Sequence, residues 1–177
     1  MALIIEDGSI VAGADSYQSL ADARTDAANR GLTLDANDVI AEAQLRQGYY
    51  YLTSNYERVI QGFRVSPNQT GMMPRNYMEA YGFPVANTAI PVAFKQSQVN
   101  AAAIVASGAD MNAAQTGQDL ASFNVDGVYS ESYRTDSRTV LVPKIASIDQ
   151  LLFPYTKAGA NALNGTGGLY REEMGYL

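Results

Sequence analysis

The stretch DANDVIAEAQLRQGYYYLTSNY, residues 35–56, has the clearest helical pattern in the sequence. Six of its residues follow the spacing expected for a helix with one buried face; they are Val39, Ile40, Ala43, Gln47, Tyr50 and Tyr51. Asp35 is suited to cap the first turn, and Leu34 and Val39 fall at the two positions of a hydrophobic staple. The pattern predicts a helix over residues 36–56 that is capped by Asp35.

Three further segments predict shorter helices. Ser19 and Asp22 form a capping-box pair at the start of a helix over residues 19–30. A helix over residues 91–107 would start with a proline, whose missing N–H costs nothing at the first helical position. Residues 147–150 match a second capping box and open a short helix.

The segment 62–89 interrupts the helical periodicity, because three glycines and three prolines fall within it. It is nevertheless rich in residues that usually pack against something, and these are Met72, Met73, Tyr77, Met78, Tyr81 and Phe83. Two interpretations stay open. The segment is either a long irregular loop packed over the core of its own domain, or a contact surface for another subunit or a tail protein.

Alternating apolar and polar residues predict a short β-hairpin after the third helix. Residues 123–133 have this alternation, residues 139–142 form a second strand candidate, and residues 135–137 could turn the chain between them. The predicted fold is therefore mainly α: a small bundle of about four helices with a short β-hairpin. Residues 1–154 would form this domain.

Residues 155–177 predict an extended C-terminal arm. Their Gly- and Ala-rich first part cannot nucleate a core, and fully extended they would reach roughly 75 Å. A flexible spacer with apolar anchors is a common layout for a segment that docks on a partner. The candidate docking residues are Leu163, Leu169, Tyr170, Met174, Tyr176 and Leu177.

The three consecutive tyrosines Tyr49, Tyr50 and Tyr51 predict a contact outside the domain's own core. Successive helical residues are about 100° apart, so the three rings span about 200° of the helix. A buried stripe covers little more than 100°. At least one ring should therefore point away from the core. The triplet is explained by a wide core face or a solvated tyrosine, or by a subunit contact, since tyrosine is favoured in interfaces. Base stacking is a third option, against which the missing basic groove argues.

The composition excludes most catalytic chemistry. The chain has no Cys and no His, which removes thiolate nucleophiles, zinc–thiolate sites and imidazole acid–base catalysis. Acidic pairs such as Glu6 with Asp7, Asp35 with Asp38 and Glu172 with Glu173 are better explained as caps and solvated faces than as cation ligands. The glycines at 165–168 follow no strand and precede no Lys, so no phosphate loop is present. A metal or glycosidase site built only on carboxylates stays possible, but it needs clustered Asp and Glu residues and the sequence has no such motif. We expect neither enzyme activity nor a cofactor.

The net charge and the N-terminal residues limit which partners and which cellular location are expected. The net charge is −6, and tight nucleic-acid binding needs a Lys and Arg footprint. We therefore expect that a single copy of the chain does not bind DNA tightly. An N-terminus without a basic region and the absence of any long apolar stretch predict synthesis in the cytoplasm and no membrane association.

The sequence resembles a family of tailed-phage proteins. The resemblance rests on MALIIEDG at residues 1–8 and ADSYQSLADA at 14–23, and on Met73-Pro74-Arg75 and Ile90-Pro91 before an Ala-rich helix. It extends over residues 1–153. Relatives often have Trp where this chain has Met73. Members include head–tail connector (adaptor) proteins of the virion neck, and others are described as single-stranded-DNA-binding proteins similar to the primosomal protein DnaT.

The resemblance implies a structural role. Adaptors of this family form a ring, typically of twelve copies, beneath the portal of the capsid. They often send a C-terminal segment into the portal and bind a tail, stopper or tail-terminator protein on the other side. DNA passes through such a ring during genome ejection, and an acidic lumen that repels phosphate would allow this. Single-stranded-DNA binding is the alternative function that the resemblance implies.

Overall fold

The computed structural model of the protein describes residues 2–108, 122–125, 129–132 and 145–159, with side chains at 2–108 and 145–159. The described chain falls into two compact units, of which residues 2–108 and 145–159 form the first and the short strands at 122–125 and 129–132 the second. The predicted fold class, a mainly α small helical domain with short β-hairpins, is confirmed.

The first unit is built on four α-helices in the part of the chain that the structure describes. They are α1 (Leu20–Asn29), α2 (Asp38–Tyr56), α3 (Val92–Ala106) and α4 (Ala146–Leu152), and a 3₁₀ turn follows at Phe153–Tyr155. Helices α2 and α3 pack closely because Gly48 has no side chain. A Cβ atom there would lie 2.7 Å from the carbonyl oxygen of Gln98 and 3.2 Å from the backbone nitrogen of Ala102.

Helix α1 begins and ends as predicted. The Ser19 hydroxyl accepts a hydrogen bond from the backbone N–H of Asp22 over 3.1 Å and donates one to the Asp22 carboxylate over 2.6 Å. The Ser19 cap that the sequence indicates is confirmed, but the Asp22 carboxylate accepts from the Ser19 hydroxyl and not from the Ser19 backbone N–H, as a capping box would have it. Gly31 lies just past the helix end in the left-handed region, where glycine is favoured.

The predicted start of α2 is wrong by two residues. Asn37, not Asp35, is the N-cap, and its side-chain oxygen accepts from the backbone N–H of Val39 over 2.9 Å. Asp35 instead accepts from the N–H of Asn37 over 2.7 Å, a local turn that competes with the helix. The staple is also wrong, because Leu34 is buried beneath α2 whereas Val39 is exposed.

The predicted buried face of α2 is wrong as well. Val39, Ile40, Ala43, Gln47 and Tyr50 are all exposed. The residues that face the core are Ala41, Gln44, Leu45, Gly48, Tyr49, Tyr51, Leu52 and Tyr56. The helix carries two uncharged faces, and α3 packs on the one where Gly48 allows close approach.

Helices α3 and α4 lie where they were predicted, with different caps. Pro91 is the N-cap of α3 rather than its first residue, and Val92 is exposed. Helix α4 begins at Ala146, so Ser147 lies inside its first turn, and the predicted second capping box is wrong. Ile145 is at the cap and contributes no side-chain hydrogen bond, but its backbone carbonyl accepts from the N–H groups of Ile148 and Asp149.

The segment 62–89 is more regular than predicted. It contains two antiparallel hairpins, in which β1 (Phe63–Arg64) pairs with β2 (Arg75–Asn76) and β3 (Met78–Ala80) pairs with β4 (Phe83–Val85). The Met73–Pro74 peptide bond is cis. Gly62 has a φ of 66°, and a Cβ there would lie 1.9 Å from the carbonyl oxygen of Asn76, so only glycine lets β2 approach.

The second unit forms a hairpin earlier than predicted. Strand β5 (Ser122–Val125) pairs with β6 (Tyr129–Ser132), so the stretch 123–133 that was predicted as one strand contains residues of both. A two-fold alternation runs through both strands, which explains the error. The strand candidate at residues 139–142 lies outside the described residues.

The N-terminal segment is tied to the core by buried polar side chains. Gln98 on α3 accepts from the backbone N–H of Tyr17 and donates to the carbonyl of Leu45 and the hydroxyl of Ser16, each over 2.9 Å. The buried Glu6 carboxylate accepts from three backbone N–H groups at residues 8–11 over 2.8–3.0 Å. Both side chains satisfy backbone groups that burial would otherwise leave unpaired.

The described end of the chain stays attached to the first unit. Thr156 pairs with Ile60, and the backbone N–H of Lys157 donates to the carbonyl of Val59 over 2.9 Å. The arm predicted from residue 155 therefore has its first residues, 155–159, on the domain. The predicted division at 154 stays a prediction, because residues 160–177 lie outside the described part.

Candidate interaction surface

The tyrosine triplet on α2 separates into core and surface residues. Tyr49 and Tyr51 are buried, whereas 53% of the Tyr50 side chain is exposed. The expectation that at least one ring points away from the core is confirmed. Tyr49 packs at 4.7 Å between ring centroids against Tyr17, and burial raises the pKa values of both hydroxyls. Tyr50 alone of the triplet is free to contact another chain.

The methionines predicted as possible contacts belong to the core. Met72, Met73 and Met78 are each at most 1% exposed and pack with α2, α3 and α4 residues. They line the inner side of the two hairpins. The interpretation that this segment packs over its own domain is therefore correct for the methionines.

The aromatic residues of the same segment point outward. Tyr77 is 81% exposed, Phe83 73% and Tyr81 64%, and the sequence reasoning missed Phe63, which is also exposed. The rings of Phe63 and Tyr77 contact each other with centroids 5.2 Å apart. We call Phe63, Tyr77, Tyr81 and Phe83 the aromatic surface.

Two members of the aromatic surface occupy backbone positions that disfavour them. Tyr77 has a φ of 56° and Tyr81 a φ of 55°. Bulky side chains rarely adopt this left-handed region, which costs roughly 1–2 kcal/mol and which Gly and Asn tolerate better. Tyr81 and Gly82 together form the turn between β3 and β4, where Asn-Gly is the preferred pair. Most of each ring is nevertheless exposed to solvent.

A buried polar framework holds the two hairpins in place. Arg75 donates to the carbonyl oxygens of Gln61, Gly62 and Met72 over 2.7–3.3 Å. Burial lowers its pKa. The Gln61 amide donates to the carbonyls of Glu79, Pro154 and Thr156 over 3.0–3.1 Å. The aromatic surface therefore stands on a rigid support, which reduces the entropy lost on binding a partner.

The cations near the aromatic surface are largely occupied. Arg64 donates to the Glu57 carboxylate over 2.8 Å, and these bonds lower the pKa of Glu57. The Arg75 guanidinium is buried among carbonyls. Arg58 and Lys157 are exposed, and the Lys157 ammonium donates to the Arg58 carbonyl over 3.0 Å.

Helices α1 and α2 also hold their arginines in ion pairs. Arg24 pairs with Asp38 and Arg30 with Asp26, both at 2.6 Å, and Arg46 pairs with Asp15 at 2.7 Å. These guanidinium groups already contact carboxylates and would have to release them to bind phosphate. In the described chain, therefore, few cations are available for a nucleic-acid backbone.

The structure offers no metal centre within its described residues, where no group of three or more Asp or Glu converges. Glu6 is buried and occupied by backbone N–H groups, and Asp7 accepts from the Ser9 hydroxyl over 2.6 Å. Asp35 and Asp38 bond to the first turn of α2 and to Arg24. Within the same residues, no helix is long and apolar enough to cross a membrane.

The structure does not describe the predicted docking residues of the arm. Leu163, Leu169, Tyr170, Met174, Tyr176 and Leu177 all lie outside the described residues, as do Glu172 and Glu173. Their role as a docking segment stays a prediction.

Sequence comparison identifies the family. Residues 1–170 match the family described as "Putative DnaT-like ssDNA binding protein". The match spans nearly the whole chain, and the protein belongs to this family. It matches no curated protein and no solved structure.

Proposed function

We propose that the protein is a structural adaptor of a tailed phage, which forms a ring under the portal and joins the capsid to the tail in the virion neck. The observation that carries this proposal is the aromatic surface. Exposed Tyr and Phe side chains on a rigid support are typical of protein–protein contacts. Two of them have a left-handed backbone that disfavours bulky residues, and a partner that binds their rings would account for their presence there.

The charge distribution supports a channel through which DNA passes rather than a site that binds DNA tightly. The chain has a net charge of −6, and five of its arginines are held by carboxylates or buried carbonyls. An acidic ring would repel phosphate and let DNA slide through.

The C-terminal segment is the proposed portal contact. Its apolar anchors follow a Gly- and Ala-rich spacer that starts where Gly159 leaves the described domain. Eighteen residues, 160–177, would reach roughly 60 Å at about 3.3 Å each. The partners in this proposal are further copies of the chain, the portal, and a tail or stopper protein bound at the aromatic surface.

Deleting residues 160–177 tests the portal contact. The deletion keeps Gly159, whose N–H bonds to the Thr156 hydroxyl, so the described domain should remain folded by circular dichroism. We expect binding to the portal protein of the same phage to fall at least tenfold in a pull-down with purified proteins. A second variant replaces only the anchors Tyr170 and Met174 by Ser and keeps the spacer, and it should also weaken portal binding. Portal binding at full affinity after deletion would refute the portal contact.

Single-stranded-DNA binding is the second candidate, favoured by the family match and by the exposed rings, since bases stack on aromatic side chains. Arg58 and Lys157 would then supply the phosphate contacts. This function predicts salt-dependent binding of an oligonucleotide that weakens in the Arg58→Ala/Lys157→Ala variant. The adaptor proposal predicts no measurable binding in fluorescence anisotropy at low salt.

A further inference from the structure

One exposed face of α2 carries no charge along its whole length. Its members follow helical spacing over about three turns and are all exposed: Val39, Ile40, Ala43, Gln47 and Tyr50. At 100° per residue they fall within an arc of about 100°. This α2 stripe lies on the opposite side of the helix from the residues that pack against α3.

Such a face is unusual on a surface helix. The solvent side of an amphipathic helix normally carries charged and polar residues, and contiguous exposed apolar patches mark interaction sites. Val39 is 67% and Ile40 46% exposed, although both are branched aliphatics with a modest helix propensity. Their periodicity is that of a buried face, but no described part of the chain covers it.

The charges beside the α2 stripe are predominantly negative at its N-terminal end. Asp35, Asp38 and Glu42 lie there, and Asp15 adjoins them through Arg46. Four carboxylates thus face two guanidinium groups, those of Arg24 and Arg46. A cationic partner surface would compensate this excess.

The same domain presents such a surface at the other end of α2, about 30 Å away for a helix of this length. Arg58, Val59 and Lys157 form it, and we call it the basic corner. All three are exposed, and neither cation has an ion pair within the described residues. An aliphatic residue beside two exposed cations complements an apolar stripe edged with carboxylates.

We propose that the α2 stripe of one copy packs on the basic corner of a second copy. Because the two surfaces differ, and the acidic edge of the stripe and the basic corner lie at opposite ends of α2, the contact is head-to-tail and leaves one surface of each outer copy open for further copies. Repeated contacts of this type close into a ring when the rotation between neighbouring copies adds up to a full turn, and the proposed adaptor function requires such a rotation. The inference deepens the proposed adaptor function, on which its biological meaning rests, by assigning the surfaces between neighbouring subunits.

Paired cysteine variants test the contact, and the chain has no native Cys that would interfere. Ile40→Cys protein is mixed with Lys157→Cys protein that carries a mass tag, and a short bismaleimide cross-links them at rising concentration. We expect the mixed Ile40–Lys157 product to dominate and to increase with concentration. The matched control replaces Lys157→Cys with Asn29→Cys, another exposed position outside both surfaces, and should give at least tenfold less mixed product.

The identity of the cross-linked products distinguishes the proposed contact from its alternatives. Predominant Ile40–Ile40 cross-links would show a two-fold contact and overturn the proposal, and so would the absence of specific cross-links at millimolar protein. A mixed cross-link in a protein that fails to bind portal would refute the adaptor role and leave this contact standing. Portal binding without the mixed cross-link would refute this contact alone. Ile40→Glu, at an exposed site, should abolish the association while the thermal unfolding midpoint of the monomer stays within a few degrees.

Discussion

The ring of Tyr77 lies 5.2 Å from the ring of Phe63, and the two side chains form an exposed pair across the end of the first hairpin. Tyr77 holds this position with a left-handed backbone and with four fifths of its side chain in solvent. Tyr81, in the turn of the second hairpin, also combines a left-handed backbone with an exposed ring. Both residues combine a backbone conformation that disfavours bulky side chains with a ring that is open to solvent.

Replacing these two tyrosines should separate stability from binding. The Tyr77→Asn/Tyr81→Asn variant relieves the backbone cost, so we expect unchanged or slightly higher stability, by up to about 1–2 kcal/mol. Binding to the tail-side partner should weaken at least tenfold, because aromatic anchors carry much interface energy. Urea unfolding and a pull-down measure the two effects. Met78→Ala, a buried neighbour, should instead cost about 2–5 kcal/mol. A clear loss of stability in the Asn variant would show that the rings serve the fold.

Adding a single methyl group to α2 at Gly48 should destabilise the protein. Gly→Ala inside a helix normally stabilises it by up to about 1 kcal/mol. At Gly48 the added Cβ would lie 2.7 Å from a backbone oxygen of α3, so the helices must separate. We expect Gly48→Ala to lower the free energy of unfolding by about 1–3 kcal/mol. Ala43→Gly on the exposed face is the control, and it should cost about 1 kcal/mol through propensity alone. Stabilisation by Gly48→Ala would contradict the close packing of α2 on α3.

The domain should lose stability in alkali. Burial raises the pKa values of the Tyr17, Tyr49 and Tyr56 hydroxyls above their ordinary value of 10. The unfolded chain releases these protons near pH 10 whereas the folded chain retains them. The free energy of unfolding should therefore be unaffected by them below about pH 10. Above it the free energy should fall, by up to about 1.4 kcal/mol per pH unit for each tyrosine.

Tyr49→Phe isolates one of these contributions. The Tyr49 hydroxyl is buried without a hydrogen-bond partner among the described residues, so its removal should not destabilise the protein at pH 7. Urea titrations between pH 7 and pH 11 should show a shallower decline for Tyr49→Phe than for the native chain. Parallel declines above pH 10 would contradict the burial of this hydroxyl.

The sequence predicted the helices better than it predicted their faces. Local signals such as the Ser19–Asp22 pair act within one turn, and the structure confirms them. The face of α2 depends on what packs against it. Its apolar periodicity was real, but it belongs to the exposed α2 stripe, since only the face with Gly48 admits α3. A glycine in the middle of a long helix was the signal that could have indicated the packed side.

The sequence predicted only part of the aromatic surface, because the exposed side of a segment again depends on what packs against it. Tyr77, Tyr81 and Phe83 were found from composition, but Met72, Met73 and Met78 from the same stretch are core residues. Composition cannot separate the inner side of a hairpin from its outer side when no strand is recognised. Phe63 was missed because it stands in a two-residue strand, too short for any alternation to be visible.

The mass of the assembly formed with portal tests the central claim most directly. Purified protein and the portal of the same phage should form a complex whose native mass corresponds to a closed ring of about twelve copies, and electron microscopy should show an open axial channel. The Ile40→Glu and 160–177 deletion variants should each fail to form it. A protein that remains monomeric in the presence of portal, or that instead binds single-stranded DNA with a steep salt dependence, would contradict the account.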